Sequence, residues 1–227
     1  MPEGLHLQAD GATPLTPDER DGLIPTFIAT REDLNAAEQD NITEAILGLR
    51  RRRLTPAIVL DDVFVRALHK AMFGAVWRWA GTYRLTERNI GIEPHRIAVA
   101  VRDLSEDARY WVRPESTWLT QDQAVCRVHH RLVAIHPFPN GNGRHARAYA
   151  DALMRALGGV AFTWGAGHDL LRDGPDRRAY LDALQAADRD RKTWTPWWPS
   201  PVPDNDTGES PGYQRGLTRP HRCHRRA

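Results

Sequence analysis

Apolar residues recur every three to five positions along most of the chain, the spacing that one face of an α-helix produces. Thr30 followed by two acids predicts the start of the first helix. The arginine run 50–53 predicts its end at Arg53, because cations suit the helix C-terminus. The apolar residues of this first helix are Leu34, Ala37, Ile42, Ala45, Ile46 and Leu49.

The same spacing predicts a second helix, capped by Asp61 or Asp62 and ended by Gly74. Further helices are predicted over residues 99–113, 120–135, 144–157 and 175–191. Residues 75–98 instead mix Ile and Trp with Gly, Asn and Pro, which is typical of a turn and a short hairpin with 89–92 as a strand. The predicted fold is therefore all-α, a helical bundle with one small β-hairpin flap.

Length and composition give the domain plan. The 227 residues, 41% hydrophobic and 26% charged, suit one globular domain with a tail. Residues 1–29 are rich in Pro, Gly and Thr and predict an extended N-terminal arm. Residues 30–55 form the N-terminal helix and 56–199 the core, while 200–227 have little that could build a core and are expected to be disordered.

Several protein classes are excluded by what the sequence lacks. It has no run of about 18 apolar residues for a membrane span and no basic-then-apolar signal peptide. Cys126 and Cys223, the two cysteines, are too few for a disulfide scaffold or a Cys-rich zinc module. We therefore expect a cytoplasmic protein without a membrane partner.

The net charge of +2 is unevenly distributed. Residues 211–227 hold five arginines and no acid, so the remaining chain, with 26 basic and 29 acidic side chains, is −3. This balance argues against nucleic-acid binding by the body of the protein. The basic tail stays open as a nucleic-acid contact.

Residues 136–147 depart from the helical pattern. They read His-Pro-Phe-Pro-Asn-Gly-Asn-Gly-Arg-His-Ala-Arg, between two predicted helices. Gly141 and Gly143 at a helix N-terminus allow unusual dihedral angles and expose several backbone N–H groups to one point. The loop therefore predicts a cradle for phosphate groups.

Three charged or titratable side chains surround this cradle. Arg144 and Arg147, three residues apart, share a helix face. Cations there oppose the helix dipole unless an anion binds between them. His136 stands at the rim, and histidine is the usual general base near neutral pH. The alternative is a tight loop in which His136 is only a buried structural residue.

The segment resembles the signature of the Fic (Fic/Doc) family, H-x-F-x-[D/E]-G-N-G-R-x-x-R. The matching residues are His136, Phe138, Gly141, Asn142, Gly143, Arg144 and Arg147. Residues 73–84, FGAVWRWAGTYR, are similar to the family's approach to its flap hairpin. The order of elements resembles in particular the bacterial mobile mystery protein B subgroup, found on mobile elements.

The resemblance implies a protein adenylyltransferase, which binds ATP with Mg²⁺ and transfers AMP to a Ser, Thr or Tyr hydroxyl of a target protein. It implies that His136 takes the proton from that hydroxyl and that Phe138 anchors the loop. The flap, residues 82–97, would hold the target by strand addition. The implied phosphate-binding residues are Gly141, Asn142, Gly143, Arg144 and Arg147.

One position departs from the family pattern. The acid that holds Mg²⁺ in the family is Asn140 here, and an amide oxygen can ligate Mg²⁺ but brings no charge. Metal affinity is therefore expected to be weaker, with ATP itself retaining the ion.

Glu38 is an inhibitory candidate on the first helix. Some Fic proteins carry [S/T]-x-x-x-E-[G/N], whose glutamate pairs with the second arginine of the signature, here Arg147. Leu34 and Gln39 replace the other two residues of that motif. The alternative is a solvated helix acid.

Other functions stay open beside AMP transfer. The loop could bind a nucleotide without turnover, in an adaptor where Asn140 marks lost catalysis. Within the enzyme class, removal of AMP or transfer of another nucleotide are alternatives. Labelled ATP separates these classes, because only a transferase leaves label on protein.

Overall fold

The computed structural model describes residues 15–115, 119–162, 164 and 175–189. They fall into two compact units, residues 1–161 and 162–227. The second unit contributes helix α8 (Pro175–Arg189). The helices of the first unit are α1 (Pro17–Arg20), α2 (Arg31–Arg50), α3 (Pro56–Val59), α4 (Asp62–Phe73), α5 (Ile97–Trp111), α6 (Gln121–Ile135) and α7 (Asn142–Ala156), with a 3₁₀ turn at Pro94–Arg96.

Side-chain caps fix where the longer helices begin. The Thr30 hydroxyl accepts the N–H of Asp33, and the Asp33 carboxylate accepts the N–H of Thr30, which forms a capping box at α2. Thr120 and Gln123 make the same exchange at α6. Asp61 caps α4 through the N–H of Val63. These helix starts agree with the prediction, and α2 ends three residues earlier than expected.

The core of the first unit lies around α7. Helix α7 packs against α6, α4 and α3, while α5 packs on α6 and α2 lies along α4. The buried apolar residues at these contacts include Val59, Met72, Ile97, Val101, Val128 and Leu153. This packing holds the α6–α7 connection, residues 136–141, beside α4 and α2.

The predicted β-hairpin is wrong. Residues 82–93 form turns and irregular backbone without a strand, and the predicted strand 89–92 is a bend. The arms bond elsewhere instead: the N–H of Arg84 donates to the carbonyl of Pro137 and that of Ile92 to the carbonyl of Ile135. The segment satisfies its polar groups against the α6–α7 connection, so no ladder forms between its own arms.

The N-terminal region is more structured than an extended arm over residues 15–29, since α1 lies within it and Ile24 N–H donates to Val76 O. Leu23 and Trp77 form an isolated antiparallel bridge. Residues 1–14 and the tail 200–227 lie outside the described residues. Among those described, no helix is both long and apolar enough to cross a membrane.

Candidate active site

The signature loop begins where α6 ends. His136 is the C-cap of α6 and adopts a left-handed backbone, with φ 54° and ψ 60°. Helix α7 begins at Asn142, two residues before the predicted start, with Gly141 as N-cap at φ 78°. The chain therefore reverses within six residues and brings His136 to the N-terminal end of α7.

Asn142 closes this loop from within. Its Oδ1 accepts the N–H of Phe138 at 2.9 Å, and its Nδ2 donates to the carbonyl of Phe138 at 2.8 Å. Phe138 is fully buried, as its predicted anchoring role requires. The side chain of Asn142 is thus occupied in shaping the loop, and only its backbone N–H remains suited to a ligand.

His69 on α4 supports the loop through hydrogen bonds. This residue was not predicted from the sequence. Its Nδ1 accepts the N–H of Gly81 at 3.0 Å, so its Nε2 carries the proton and donates to the carbonyl of Asn140 at 3.0 Å. Its ring stacks on Phe138 with centroids 3.7 Å apart. Burial, with the neighbouring His145, lowers the pKa of His69 well below its usual value. His69 therefore stays neutral and keeps this bonding pattern.

The N-terminus of α7 is open to an anion. It has no side-chain cap and no acid in its first turn, so the first backbone N–H groups of the helix lack the usual protein acceptor. Gly141 is required here, because an added Cβ would lie 2.5 Å from Cζ of Phe73. The guanidinium of Arg144 sits 4.9 Å from the centre of the same Phe73 ring. Arg147 follows one turn later and is partly buried.

Glu38 reaches this helix end from α2. Its Oε2 lies 2.6 Å from Nη1 of Arg144, and its Oε1 accepts the indole N–H of Trp77 at 2.7 Å. Only 5% of Glu38 is exposed, so it is not a solvated helix acid. The ion pair is with Arg144, the first arginine of the signature, whereas the sequence predicted the second, Arg147.

The environment of His136 keeps its imidazole neutral. Burial, followed by the positive charges of Arg84 and Arg88, lowers the pKa of His136 to about 4. A neutral imidazole has the lone pair that a general base needs. Arg88 is itself held by a partly buried ion pair with Glu19 of α1.

The residues present fit a protein-held Mg²⁺ poorly. The Oδ1 of Asn140 already accepts the N–H of Gly141 at 2.6 Å, and the described residues contain no cluster of three His, Cys, Asp or Glu side chains for a metal. Mg²⁺ prefers carboxylate and phosphate oxygens. A metal at this loop would depend on the phosphates of the nucleotide.

A family model gives the same picture as the geometry: residues 59–154 match the Fic/DOC family. Over these residues the chain is similar to Fic/DOC domains. The match spans α4 to α7 and includes the loop and the segment before it, as the signature predicted. The subgroup is not resolved by this match.

Solved structures confirm the helical Fic fold. The N-terminal Fic domain of a Bartonella effector protein (Bep) from Bartonella sp. AR 15-3 has a TM-score of 0.57 at 17% identity, covering 74% of this chain and 82% of its own. The BepC protein of Bartonella tribocorum, solved with bound AMPPNP, has a TM-score of 0.54 at 20% identity, covering 75% of this chain and 91% of its own.

The names of two curated relatives of the Fic/DOC domain state an enzyme activity. Protein adenylyltransferase fic-1 of Caenorhabditis elegans is 32% identical over 108 residues, 44% of this chain, and the chain spans only 20% of its length. The probable protein adenylyltransferase y4lH of Sinorhizobium fredii is 26% identical over 163 residues, 65% of this chain and 75% of its own.

Proposed function

We propose that this protein is an adenylyltransferase that transfers AMP from ATP to a Ser, Thr or Tyr hydroxyl of a target protein. The observation that carries the proposal is the juxtaposition of His136, held neutral, with the uncapped N-terminus of α7. A neutral base beside an anion cradle is what nucleotidyl transfer to a hydroxyl requires. The names of the curated relatives support this activity.

In the proposed reaction the target hydroxyl oxygen attacks the α-phosphorus of ATP. A new P–O bond forms, the bond to the β-phosphate oxygen breaks, and pyrophosphate leaves with that electron pair. The hydroxyl proton passes to His136. Positioning and charge stabilisation supply most of the catalysis in phosphoryl-type transfers, and the loop is built for both.

The phosphates are assigned to the loop and the first turns of α7. The backbone N–H groups of Asn142 and Gly143 would contact them, while Gly141, whose own N–H is bonded to Oδ1 of Asn140, lets the chain approach closely. Arg144 and Arg147 would supply the positive charge. Mg²⁺, when present, would arrive with ATP, with Asn140 contributing at most one uncharged oxygen.

The target is assigned to residues 82–97, beside His136. Residues 82–93 of this segment form a loop that exposes two large apolar side chains, Leu85 at 87% and Ile90 at 44%. Exposed apolar side chains next to a reactive centre suit a bound peptide segment. Extended backbone of the target would lie along this loop.

Glu38 is assigned an inhibitory role, through Arg144. A carboxylate held on a signature arginine at the positive end of α7 takes the position that suits a phosphate oxygen. Occupied in this way, Arg144 is not available to ATP. Opening of the Glu38 contact would therefore precede productive nucleotide binding.

A nucleotide-binding adaptor is the second candidate, and Asn140 favours it because the family's acid is missing. De-AMPylation and transfer of another nucleotide are variants within the enzyme class. We also propose a cytoplasmic location and membership of the mobile mystery protein B subgroup, which the order of elements supports.

The deciding experiment offers the protein and a lysate a panel of nucleotides and measures intact masses. AMP added to protein by the wild type but not by His136→Ala supports the adenylyltransferase. Nucleotide binding without any added mass supports the adaptor. A different added mass identifies another transferred group.

A further inference from the structure

Arg84 is buried beside the end of α6, outside the signature segment. Only 1% of it is exposed. Its Nε donates to the carbonyl of His136 at 2.7 Å, and its Nη2 lies 3.5 Å from the carbonyl of Ile135. Its own backbone N–H donates to the carbonyl of Pro137 at 2.9 Å. Arg84 thus binds the carbonyls of three successive residues around the base.

The same guanidinium also holds both ends of the 86–92 loop. Its Nη1 donates to the carbonyl of Thr86 at 2.9 Å and its Nη2 to the carbonyl of Ile92 at 2.5 Å. Five N–H donors in a fixed planar fork allow one side chain to serve two segments. A lysine, with one flexible ammonium group, could not reproduce this arrangement.

Gly91 brings the loop into direct contact with the base. Its φ is 103°, and an added Cβ would lie 2.6 Å from Nη2 of Arg84 and 2.7 Å from Cβ of His136. Gly91, next to the end of the loop, therefore packs on both Arg84 and His136. A displacement of this loop should therefore move His136, because closely packed interiors transmit displacement.

His136 needs such support. A left-handed backbone is uncommon for residues other than glycine and persists only where the surrounding structure holds it. The last carbonyls of a helix are also left without partners inside the helix. The Arg84 side chain bonds two carbonyls at this end, those of Ile135 and His136, and brings a positive charge to the helix end where it is favourable.

We infer that Arg84 is a positioning residue: it holds His136 in its left-handed backbone conformation and couples the 86–92 loop to it, so that the loop that would receive the target also sets the place of the base. This inference rests on the proposed role of His136. The charges that face this imidazole are Arg84 and Arg88, and both favour its neutral form. Their effect on the proton is secondary to the geometry.

The test compares Arg84→Lys, which keeps the charge but loses the fork, with Gly91→Ala, which strains the junction and removes no donor. Gly158→Ala is the matched control, because its φ is also positive, at 78°, with nothing within 4 Å of the added Cβ. Three quantities are measured: kcat for AMP transfer, KM for ATP, and the ¹³Cα and ¹³Cβ chemical shifts of His136, which report its backbone angles.

Both Arg84→Lys and Gly91→Ala are expected to lower kcat at least tenfold, leave KM for ATP within about twofold, and shift the His136 signals, while Gly158→Ala changes none of these. Wild-type His136 signals in Gly91→Ala would overturn the inference, as would an equal effect of Gly158→Ala. Gly91→Ala decides the matter if Arg84→Lys does not fold. If the wild type transfers no AMP, the proposed function fails, and the chemical shifts still test whether Arg84 and Gly91 hold His136.

Discussion

The carboxylate of Glu38 lies 2.6 Å from the guanidinium of Arg144, across 106 residues of sequence. Glu38 is buried and Arg144 partly so, and the second carboxylate oxygen of Glu38 accepts the indole N–H of Trp77. A buried acid is seldom retained without a partner, because an unpaired charge is costly. The contact therefore fixes α2 against the N-terminus of α7 and covers a proposed phosphate-binding arginine.

Glu38→Gly is expected to raise AMP transfer, most visibly as self-modification, because it frees Arg144 for a phosphate group. A rise of about tenfold would correspond to about 1.4 kcal/mol of removed competition. Breaking a buried pair can also destabilise the fold by roughly 3–5 kcal/mol, so Tm is measured beside activity.

The control for this variant is Glu44→Gly, at an exposed position of the same helix. It carries the same loss of helix propensity, about 1 kcal/mol, without touching Arg144. Equal AMP incorporation by wild type, Glu38→Gly and Glu44→Gly, with folding intact, would leave Glu38 a structural residue only.

His136→Ala is expected to reduce transfer by roughly 10²–10⁴-fold while the Kd for ATP changes by less than about twofold, because a general base acts in the transition state. Glu44→Ala, which changes an exposed side chain of α2, serves as the control. Isothermal titration gives the Kd and labelled ATP gives the rate. Unchanged turnover in His136→Ala would remove this residue from the mechanism.

The pH profile tests the state of the same imidazole. Since the pKa of His136 is lowered to about 4, the base is already neutral above about pH 5. Transfer by the free enzyme, measured as kcat/KM per folded molecule with the folded fraction taken from tryptophan fluorescence at each pH, is expected to stay level from pH 8 to 5 and to fall as pH drops through 4. A half-loss of kcat/KM near pH 6.5 would show an imidazole in ordinary solvent contact instead.

The sequence predicted the elements better than the contacts. Apolar spacing and caps such as Thr30 and Asp61 located the helices, because these signals are local. The signature, also a local pattern, predicted the roles of His136 and Phe138, and these roles stay predictions. The hairpin failed because its polar groups are satisfied by Arg84 and by residues 135–137, a pairing across about 50 positions that no local pattern contains.

The sequence also did not predict which partners the charged side chains contact. Which signature arginine Glu38 meets depends on how α2 lies along α4, and that is set by packing. His69 was missed because a single histidine in an apolar stretch does not indicate, from sequence alone, that its ring bonds the carbonyl of Asn140 in a distant loop. Gly81 and Arg84, near the end of FGAVWRWAGTYR, were the available hint.

Asn140→Asp is expected to strengthen the dependence of nucleotide binding on Mg²⁺. One carboxylate oxygen can keep the bond to the N–H of Gly141, while the other adds the charge that Mg²⁺ prefers. Titrating Mg²⁺ against the Kd for ATP, with Asn140→Ala as the opposite arm, should move the midpoint down for Asp and not for Ala. An identical midpoint in all three proteins would mean that residue 140 does not face the metal.

Acidification is expected to destabilise the fold well before its carboxylates titrate. Burial, the first cause in each case, lowers the pKa of His129 to about 3 and those of His136 and His145 to about 4. Between these values and the ordinary 6.5, the unfolded chain binds more protons than the folded one, so the free energy of unfolding falls as pH falls. At pH 5 the loss is about 2 kcal/mol for each of the three histidines.

The combined loss for the three histidines at pH 5 is comparable to the whole free energy of unfolding of an ordinary domain, about 5–15 kcal/mol. Urea unfolding followed by tryptophan fluorescence at pH 7.5, 6.5, 5.5 and 5.0 should show a steady decline that begins near 6.5. Glu19, whose pKa is lowered from 4.5, contributes only at more acid pH, so the window identifies the histidines. His145→Gln, which removes one of the three buried imidazoles, should make the decline shallower by about 2 kcal/mol at pH 5. Equal stability at pH 7.5 and 5.0 would mean that these imidazoles accept protons in the folded protein as readily as in the unfolded chain.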